Sequence, residues 1–407
     1  MTSAGGRGAA LMLAAHPPGS GSGSSIRGQV SLSALRHIFD RVDAVSLAFP
    51  SEQRFADPGV SLIARPAEPS VATRLLALTH GGALYIPERA AQLVASVRSD
   101  VDGGALLRDY DLVWCYSSLM AHAALAVNAG ARVLDIDNVA WADSLLSART
   151  LGAGVGRLQR LYRRLSVPVL AREERRRCEL FDRVLVTSQV ERERVGDIRA
   201  PVGILPNSVP APDAPIAIES TGRQLLFVGA LDYEPNVDAV RWLLEEVLPL
   251  LRTAAPDATV TVAGRNPGET VRALCRAPRV RLAADVDSLE PLYRAARVVL
   301  APLRLGGGSG RIKVIEAMAH GSAIVATSTA LDGLGVEPGR EALVADDAAG
   351  FAEACAMLLR DVDAARGLGG NARAKWRADH APAAAERVIR EVVDSVLPVG
   401  SGVPGRG

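Results

Sequence analysis

The segment Ala301–Thr327, APLRLGGGSGRIKVIEAMAHGSAIVAT, concentrates the chemistry of this chain. A strand pattern stops at Ala301–Pro302. Glycines follow at Gly306, Gly307, Gly308 and Gly310, and a helical pattern then runs to Gly321. Glycines at such a place let the backbone come close to a ligand. The amides of Gly308, Ser309 and Gly310, with the helix N-terminus behind them, would point N–H donors at an anion. Arg311 and Lys313 add positive charge at the same mouth, which suits phosphate oxygens. Glu316 lies one turn into the helix, where a carboxylate can accept hydrogen bonds from two hydroxyls, as a ribose would offer. A bland alternative fits the same residues: a glycine-rich turn carrying a solvated Arg and Lys. The segment is not a Walker A loop, because no Gly-Lys-Ser/Thr ending exists, and Gly19–Gly23 is not GxGxxG. Nucleoside triphosphatases and plain nicotinamide enzymes therefore lose their usual warrant.

Short apolar runs alternating with longer amphipathic segments must position these residues. Candidate strands in the first half are Leu11–Ala15, Ala44–Ala48, Leu112–Tyr116, Val133–Ile136, Val184–Thr187 and Val202–Leu205, with helical patterns such as Val30–Asp40 and Gln159–Leu180 between them. In the second half they are Leu225–Val228, Thr259–Ala263, Val280–Leu282, Val298–Ala301, Ala323–Ala326 and Ala342–Val344, with helices such as Asn236–Arg252 and Gly310–Ala319. Strands separated by helices predict parallel sheets covered on both faces. Pro210, Pro212 and Pro215 break the rhythm and mark a linker over 208–220. The expected organisation is an α/β chain of two doubly wound domains, 9–207 and 221–379. The ends 1–8 and 398–407 are expected to be disordered. A last helix within 380–397 is expected to pack back on the first domain as a hinge strap. In open α/β sheets ligands bind at the carboxyl ends of the strands, so two such domains facing across a cleft suit group transfer.

Bulk properties narrow the classes. The chain has 407 residues, more than one core of usual size. Its 46 basic and 45 acidic residues leave a formal net charge of +1, which gives no electrostatic case for nucleic acid. Cys115, Cys178, Cys275 and Cys355 are far apart, which argues against a disulfide framework or zinc site and points to a reducing cytoplasm. The apolar run Ala9–Ala15 is short and weakly flanked by basic residues, so it reads as a buried strand rather than a signal peptide. No run approaches the roughly 18–20 apolar residues of a membrane span.

The stretch Ile312–Val325, with its Glu-Ala-Met-Ala-His-Gly core, resembles the donor-site motif of GT-B fold glycosyltransferases in the large retaining family GT4. Leu331–Ala354 and Phe227–Pro249 resemble other stretches of its C-terminal domain, and Leu205–Pro210 resembles the turn that closes its N-terminal domain. Pro17–Arg36 resembles the acceptor-side glycine loop, and Val133–Asp137 a loop facing the donor. The resemblance implies GT-B architecture, two Rossmann-like domains, and transfer of a sugar from a nucleoside diphosphate sugar to a hydroxyl acceptor. It implies that Glu316 holds the ribose, that Gly308, Ser309 and Gly310 offer amides to the sugar or diphosphate, and that Arg311 and Lys313 neutralise the leaving group without a metal or other cofactor. It places Val286 and Gly229 at the donor, and Gly23, Arg27 and His16 on the acceptor side.

This chain departs from the family pattern at three places. Gly308 stands where the motif's first glutamate usually contacts the sugar, a trait shared by a subgroup with Gly-Gly-Gly before the Arg and Lys. Asp137 matches a position often held by histidine near the sugar, which makes it a candidate catalytic residue beside Arg311 and Lys313; Asp135, Asp137 and Asn138 either bind hydroxyls or the acceptor, or cap a strand-to-helix turn. Asp232 and Glu234 occupy the region of a usual basic pair, which increases the demand on Arg311 and Lys313. The arginine-rich segment Arg157–Arg177 is either an interfacial helix for peripheral contact with an anionic membrane or a solvated helix paired with Glu173, Glu174 and Glu179. Two other functions stay open: a non-catalytic nucleotide- or glycan-binding partner subunit, and a nucleotide-sugar epimerase.

Overall fold

The computed structural model describes residues 7–19, 23–48, 56–64, 108–137, 157–212, 222–305 and 310–398. The chain divides into two compact units, 1–206 with 385–407, and 207–384.

The first unit is built on a seven-stranded sheet in the order β3-β2-β1-β4-β5-β6-β7. Its strands are β1 (Arg7–Ala14), β2 (Phe39–Ala48), β3 (Ser61–Ala64), β4 (Tyr110–Tyr116), β5 (Ala129–Ile136), β6 (Arg183–Val186) and β7 (Val202–Ile204), all paired in parallel. The described helices are α1 (Gly23–Ile38), α2 (Ala121–Leu125), α3 (Arg157–Cys178), α4 (Gln189–Val195) and, from the far end of the chain, α13 (Pro382–Val396). Successive side chains of a strand point to opposite faces. Leu11 and Leu13 of β1 therefore join Val113, Cys115 and the alanines of α2 on one side. Ala10, Met12 and Ala14 meet Leu32 and Leu35 of α1 and Ile389 and Val393 of α13 on the other. Both faces are covered, which is why these strands read as unbroken apolar runs.

Three sequence expectations are corrected here. Strand β1 begins at Arg7, inside the stretch expected to be disordered, because Ala9 N–H is held by Asp111 at 2.8 Å and Arg7 pairs with Asp394 of α13 at 2.5 Å. Strand β3 has no counterpart among the expected strands; its four residues pair with β2 at the sheet edge, and so short a run gives little periodic signal. Strand β2 starts at Phe39 directly after α1, so the expected helix ends earlier than Asp40.

The second unit holds a six-stranded parallel sheet, β10-β9-β8-β11-β12-β13. Its strands are β8 (Gln224–Val228), β9 (Thr259–Gly264), β10 (Val280–Ala284), β11 (Val298–Ala301), β12 (Ala323–Ala326) and β13 (Leu343–Val344). The helices are α5 (Glu234–Trp242), α6 (Leu248–Ala254), α7 (Glu269–Leu274), α8 (Glu290–Ala295), α9 (Gly310–His320), α10 (Ser328–Leu331), α11 (Ala348–Arg360) and α12 (Val362–Lys375). The expected single helix Asn236–Arg252 is α5 and α6 joined by a π turn at Leu243–Val247. There Trp242 packs edge-on against Phe351 of α11, with ring centroids 5.4 Å apart.

Strand order reverses beside β8, between β9 on one side and β11 on the other. The crevice at the carboxyl ends of β8 and β11 is thus the topological switch point, where doubly wound sheets take ligands. Gly229 follows β8, and α9 follows β11.

Candidate functional site

Helix α9 brings Lys313 and Glu316 to that switch point. They are three residues apart, so they share one helix face. Lys313 is buried in the first turn of α9, next to the positive end of the helix dipole. Its ammonium donates to Asn236 Oδ1 from α5 and stands 4.9 Å from the centroid of the Phe227 ring on β8. Among the described residues its hydrogen-bond partner is thus a neutral amide. Burial pulls the Lys313 pKa down to about 7, against the pull of Glu316. Burial likewise pushes Glu316 up to about 7, against the hydrogen bond of Tyr293 and the charge of Lys313. A cation held this way is under-compensated, and a diphosphate would supply the missing negative charge.

Gly229 leaves room for this arrangement. A Cβ there would lie 2.8 Å from Asn236 Nδ2 and 3.0 Å from Lys313 Nζ. Gly264, at the end of β9, is tighter still: a Cβ would stand 1.7 Å from the Gly229 carbonyl oxygen. Two glycine backbones therefore meet where β8 and β9 end. Beside them a polar chain ties three strand-end turns together. Asn266 donates its side-chain amide to Asp232 at 3.1 Å, and its backbone N–H goes to Asp285 at 2.9 Å. Asn266 and Asp285 both have left-handed backbones, with φ of 54° and 52°, a conformation that Asn and Asp tolerate better than most residues. Val286, next to Asp285, is exposed.

Gly310 opens α9, and Arg311 is its second residue. Gly308 and Ser309 lie outside the described residues, as does the side chain of Arg311. Sequence reasoning assigned no role to Asn236, Phe227, Tyr293, His320 or Gly264. Asn236 carried a usable signal, since it lies in the Glu-Pro-Asn turn that starts α5 directly after the glycine end of β8.

In the first unit the polar residues gather at the carboxyl ends of β1, β4 and β5. Asp137 follows β5 and accepts from Ser24 Oγ at 2.8 Å and from the Tyr116 hydroxyl at 3.4 Å. Tyr116 also donates to the Ser24 carbonyl at 2.9 Å. Ser24 belongs to the first turn of α1, which Gly23 opens, so the carboxylate stabilises a helix N-terminus. His16 is half-buried just beyond β1. The expectation that Arg27 touches an acceptor gives way. Its side chain is 2% exposed, salt-bridged to Asp135 at 2.6 Å and bonded to the Leu205 carbonyl at 2.9 Å. Burial opposes its charge, and Asp135, Asp137 and Tyr116 together outweigh burial and push its pKa up. The Asp135–Arg27 pair braces the sheet from inside. Asn138 lies outside the described residues.

Of the arginine-rich helix α3, Arg176 pairs with Glu173 at 3.0 Å, Arg175 donates to the Val195 carbonyl and Arg177 to the Ser118 carbonyl. The side chains of 157–166 lie outside the described ones. No described helix is long and apolar enough to cross a membrane. All four cysteines are buried and free.

Residues 222–361 match the family model described as "Glycosyl transferases group 1". The chain is 31% identical over 198 residues to a phosphatidyl-myo-inositol mannosyltransferase of Mycolicibacterium smegmatis, covering 45% of this chain and 49% of that protein. It spans less than half the length of the curated relatives it matches. Among solved structures, sucrose-phosphate synthase from Thermosynechococcus elongatus superposes with a TM-score of 0.66 at 18% identity, covering 96% of this chain and 99% of the other. HepE of Anabaena, solved with UDP-glucose, gives a TM-score of 0.62 at 14% identity over 95% and 99%. At these identities the likeness shows the fold, the two Rossmann-like parallel-sheet units of GT-B glycosyltransferases.

Proposed function

We propose that this chain, whose residues 222–361 form a glycosyl transferases group 1 domain, moves a sugar from a nucleoside diphosphate sugar to a hydroxyl acceptor with retention at the anomeric carbon. The observation that carries the reading is the pair of buried Lys313 and half-buried Glu316, one turn apart at the switch point beside Gly229. The relatives support it in kind: one is a mannosyltransferase, and one was solved with a nucleoside diphosphate sugar.

In this reading the donor's diphosphate meets Lys313, Arg311 and the N-terminal amides of α9, with Gly308, Ser309 and Gly310 closest to it. Glu316 takes the ribose hydroxyls. The turn at Val286 borders the base, and Gly229 lets the diphosphate approach the backbone. The bond between the anomeric carbon and the diphosphate oxygen breaks, and the nucleoside diphosphate leaves with the electron pair. The acceptor oxygen forms its bond on the face just vacated, and its proton passes to the departing phosphate. Cations and helix amides fixed before the reaction stabilise that developing charge, so the reading assigns the task to side chains rather than to a metal. Asp137, half-buried at the end of β5, is its acceptor-side carboxylate, with His16 and Gly23 nearby in sequence to β1 and α1.

The test is calorimetric titration with UDP, GDP and ADP, followed by turnover assays with the matching nucleotide sugars. Tight binding of one nucleotide, lost in Glu316→Ala and Lys313→Ala, together with sugar release to a hydroxyl acceptor, is the expected result. Binding without any turnover would instead favour a nucleotide-binding partner subunit, and no binding would remove the donor site altogether.

A further inference from the structure

Glu316 is reached by a residue from a different helix. Tyr293 of α8 is 1% exposed, and its hydroxyl stands 3.4 Å from Glu316 Oε2. Its ring stacks on His320, with centroids 4.2 Å apart and planes 14° from parallel. His320 follows Glu316 by four residues on the same face of α9. The phenol therefore lies along the side of α9, with its ring on one side chain and its hydroxyl at the next.

This geometry limits what Glu316 can do. A carboxylate on a flexible two-carbon stem has several rotamers, and a ribose needs one of them. The phenol selects a rotamer by taking Oε2, which leaves Oε1 without a protein hydrogen-bond partner among the described residues. The stack in turn fixes the phenol. Burial pulls the His320 pKa down to about 4, so the imidazole is neutral near pH 7 and does not compete as a cation for Glu316. Burial, then the Glu316 charge and hydrogen bond, push the Tyr293 pKa well up, so the hydroxyl stays a donor. Helix α8 also begins just after the turn that carries Asp285 and Val286. Tyr293 thus ties that turn to the carboxylate.

We infer that Tyr293 is a positioning residue: through its hydroxyl it sets the Glu316 carboxylate for the two hydroxyls of the donor's ribose, with His320 holding its ring. The inference rests on the donor site proposed above.

The test uses the full chain and two classes of probe, UDP, GDP and ADP, and their 2′,3′-dideoxy counterparts. Tyr293→Phe removes one oxygen and keeps the ring and its stack. Wild type is expected to favour the ribonucleotide. In Tyr293→Phe that preference should fall about tenfold, through weaker ribonucleotide binding, while dideoxy binding stays unchanged. A merely structural tyrosine would weaken both probes alike. In the Glu316→Ala background the Tyr293→Phe change should have no further effect on ribonucleotide binding. If Tyr293→Phe keeps the wild-type preference, the inference is overturned while the donor reading stands. If wild type itself binds both forms alike or neither, the donor reading falls, and the inference with it. Should Tyr293→Phe melt well below wild type, His320→Phe, which preserves a ring for the stack, must keep the preference; its loss there would also overturn the assignment to the hydroxyl.

Discussion

Lys313 stands with its ammonium 4.9 Å from the centre of the Phe227 ring and hydrogen-bonded to Asn236. A ring face and a neutral amide compensate a buried charge only in part. The free protein therefore holds this cation at a cost to its own stability, and the cost is relieved when an anion arrives. Lys313→Met, which keeps much of the volume and drops the charge, should leave the melting temperature equal or higher. The same variant should lower nucleoside diphosphate affinity roughly a hundredfold, given about 2–4 kcal/mol for a desolvated charge-assisted contact. Calorimetry and thermal denaturation on one preparation check both halves. A variant that loses stability and binding together would mean the lysine is structural.

The same pair predicts an unusual pH dependence. Between about 4.5 and 7 folded Glu316 keeps a proton that the unfolded chain has released, so stability falls as pH rises. Between about 7 and 10.5 unfolded Lys313 keeps a proton that the folded protein has lost, so stability rises with pH. The contributions of these two groups meet in a minimum near pH 7. Nucleotide affinity should do the opposite. A diphosphate selects the ammonium and a ribose selects the carboxylate, so affinity should peak near pH 7 and fall on either side. Glu316→Gln should shrink the acid limb of the affinity profile to what protonation of the diphosphate itself at about pH 6 leaves, and keep the alkaline limb. A flat profile in wild type would contradict the burial of these charges.

Gly264 is the residue whose substitution should do the most for its size. A single methyl would meet the Gly229 carbonyl oxygen at 1.7 Å, and neither backbone is free to move, since Gly229 N–H is bonded to the Ala263 carbonyl at 3.0 Å. Gly264→Ala should cost at least the upper end of the ~1–3 kcal/mol typical of overpacking, and it should push apart the ends of β8 and β9 beside Lys313. Gly268→Ala, where a Cβ meets nothing within 4 Å, is the matched control and should be nearly neutral. Urea denaturation of the two variants separates steric conflict from a general dislike of side chains in this region.

Much of this was legible in the sequence. Runs such as Leu11–Ala15 and Val298–Ala301 announced buried parallel strands because both of their faces are covered, and β11 occupies the expected residues. Lys313 and Glu316 were legible because glycines, cations and a carboxylate crowd into one loop and helix. What supports them was not. Asn236 and Tyr293 lie 77 and 23 residues from the groups they bond, and single-sequence spacing carries no information about such contacts. Arg27 misled for the same reason. A basic residue after a glycine-rich loop suggests a ligand, and only the fold reveals that Asp135, 108 residues away, already holds it.

That pair yields a last prediction, about stability alone. Arg27 and Asp135 are 2% and 0% exposed, and each is the other's compensation. Removing one partner strands a charge in the core. Arg27→Met should therefore destabilise the first unit by about 3–5 kcal/mol, and it also removes a donor from the Leu205 carbonyl. Removing both charges is a different matter, because desolvation of an ion pair often consumes most of its Coulomb gain. Arg27→Met combined with Asp135→Leu should recover most of the loss in chemical denaturation, with sugar-nucleotide binding in the second unit unchanged throughout. If the double variant were no better than Arg27→Met, the pair would be worth more than an apolar replacement. If Arg27→Met kept full stability and instead weakened acceptor use, the guanidinium would belong to the site after all.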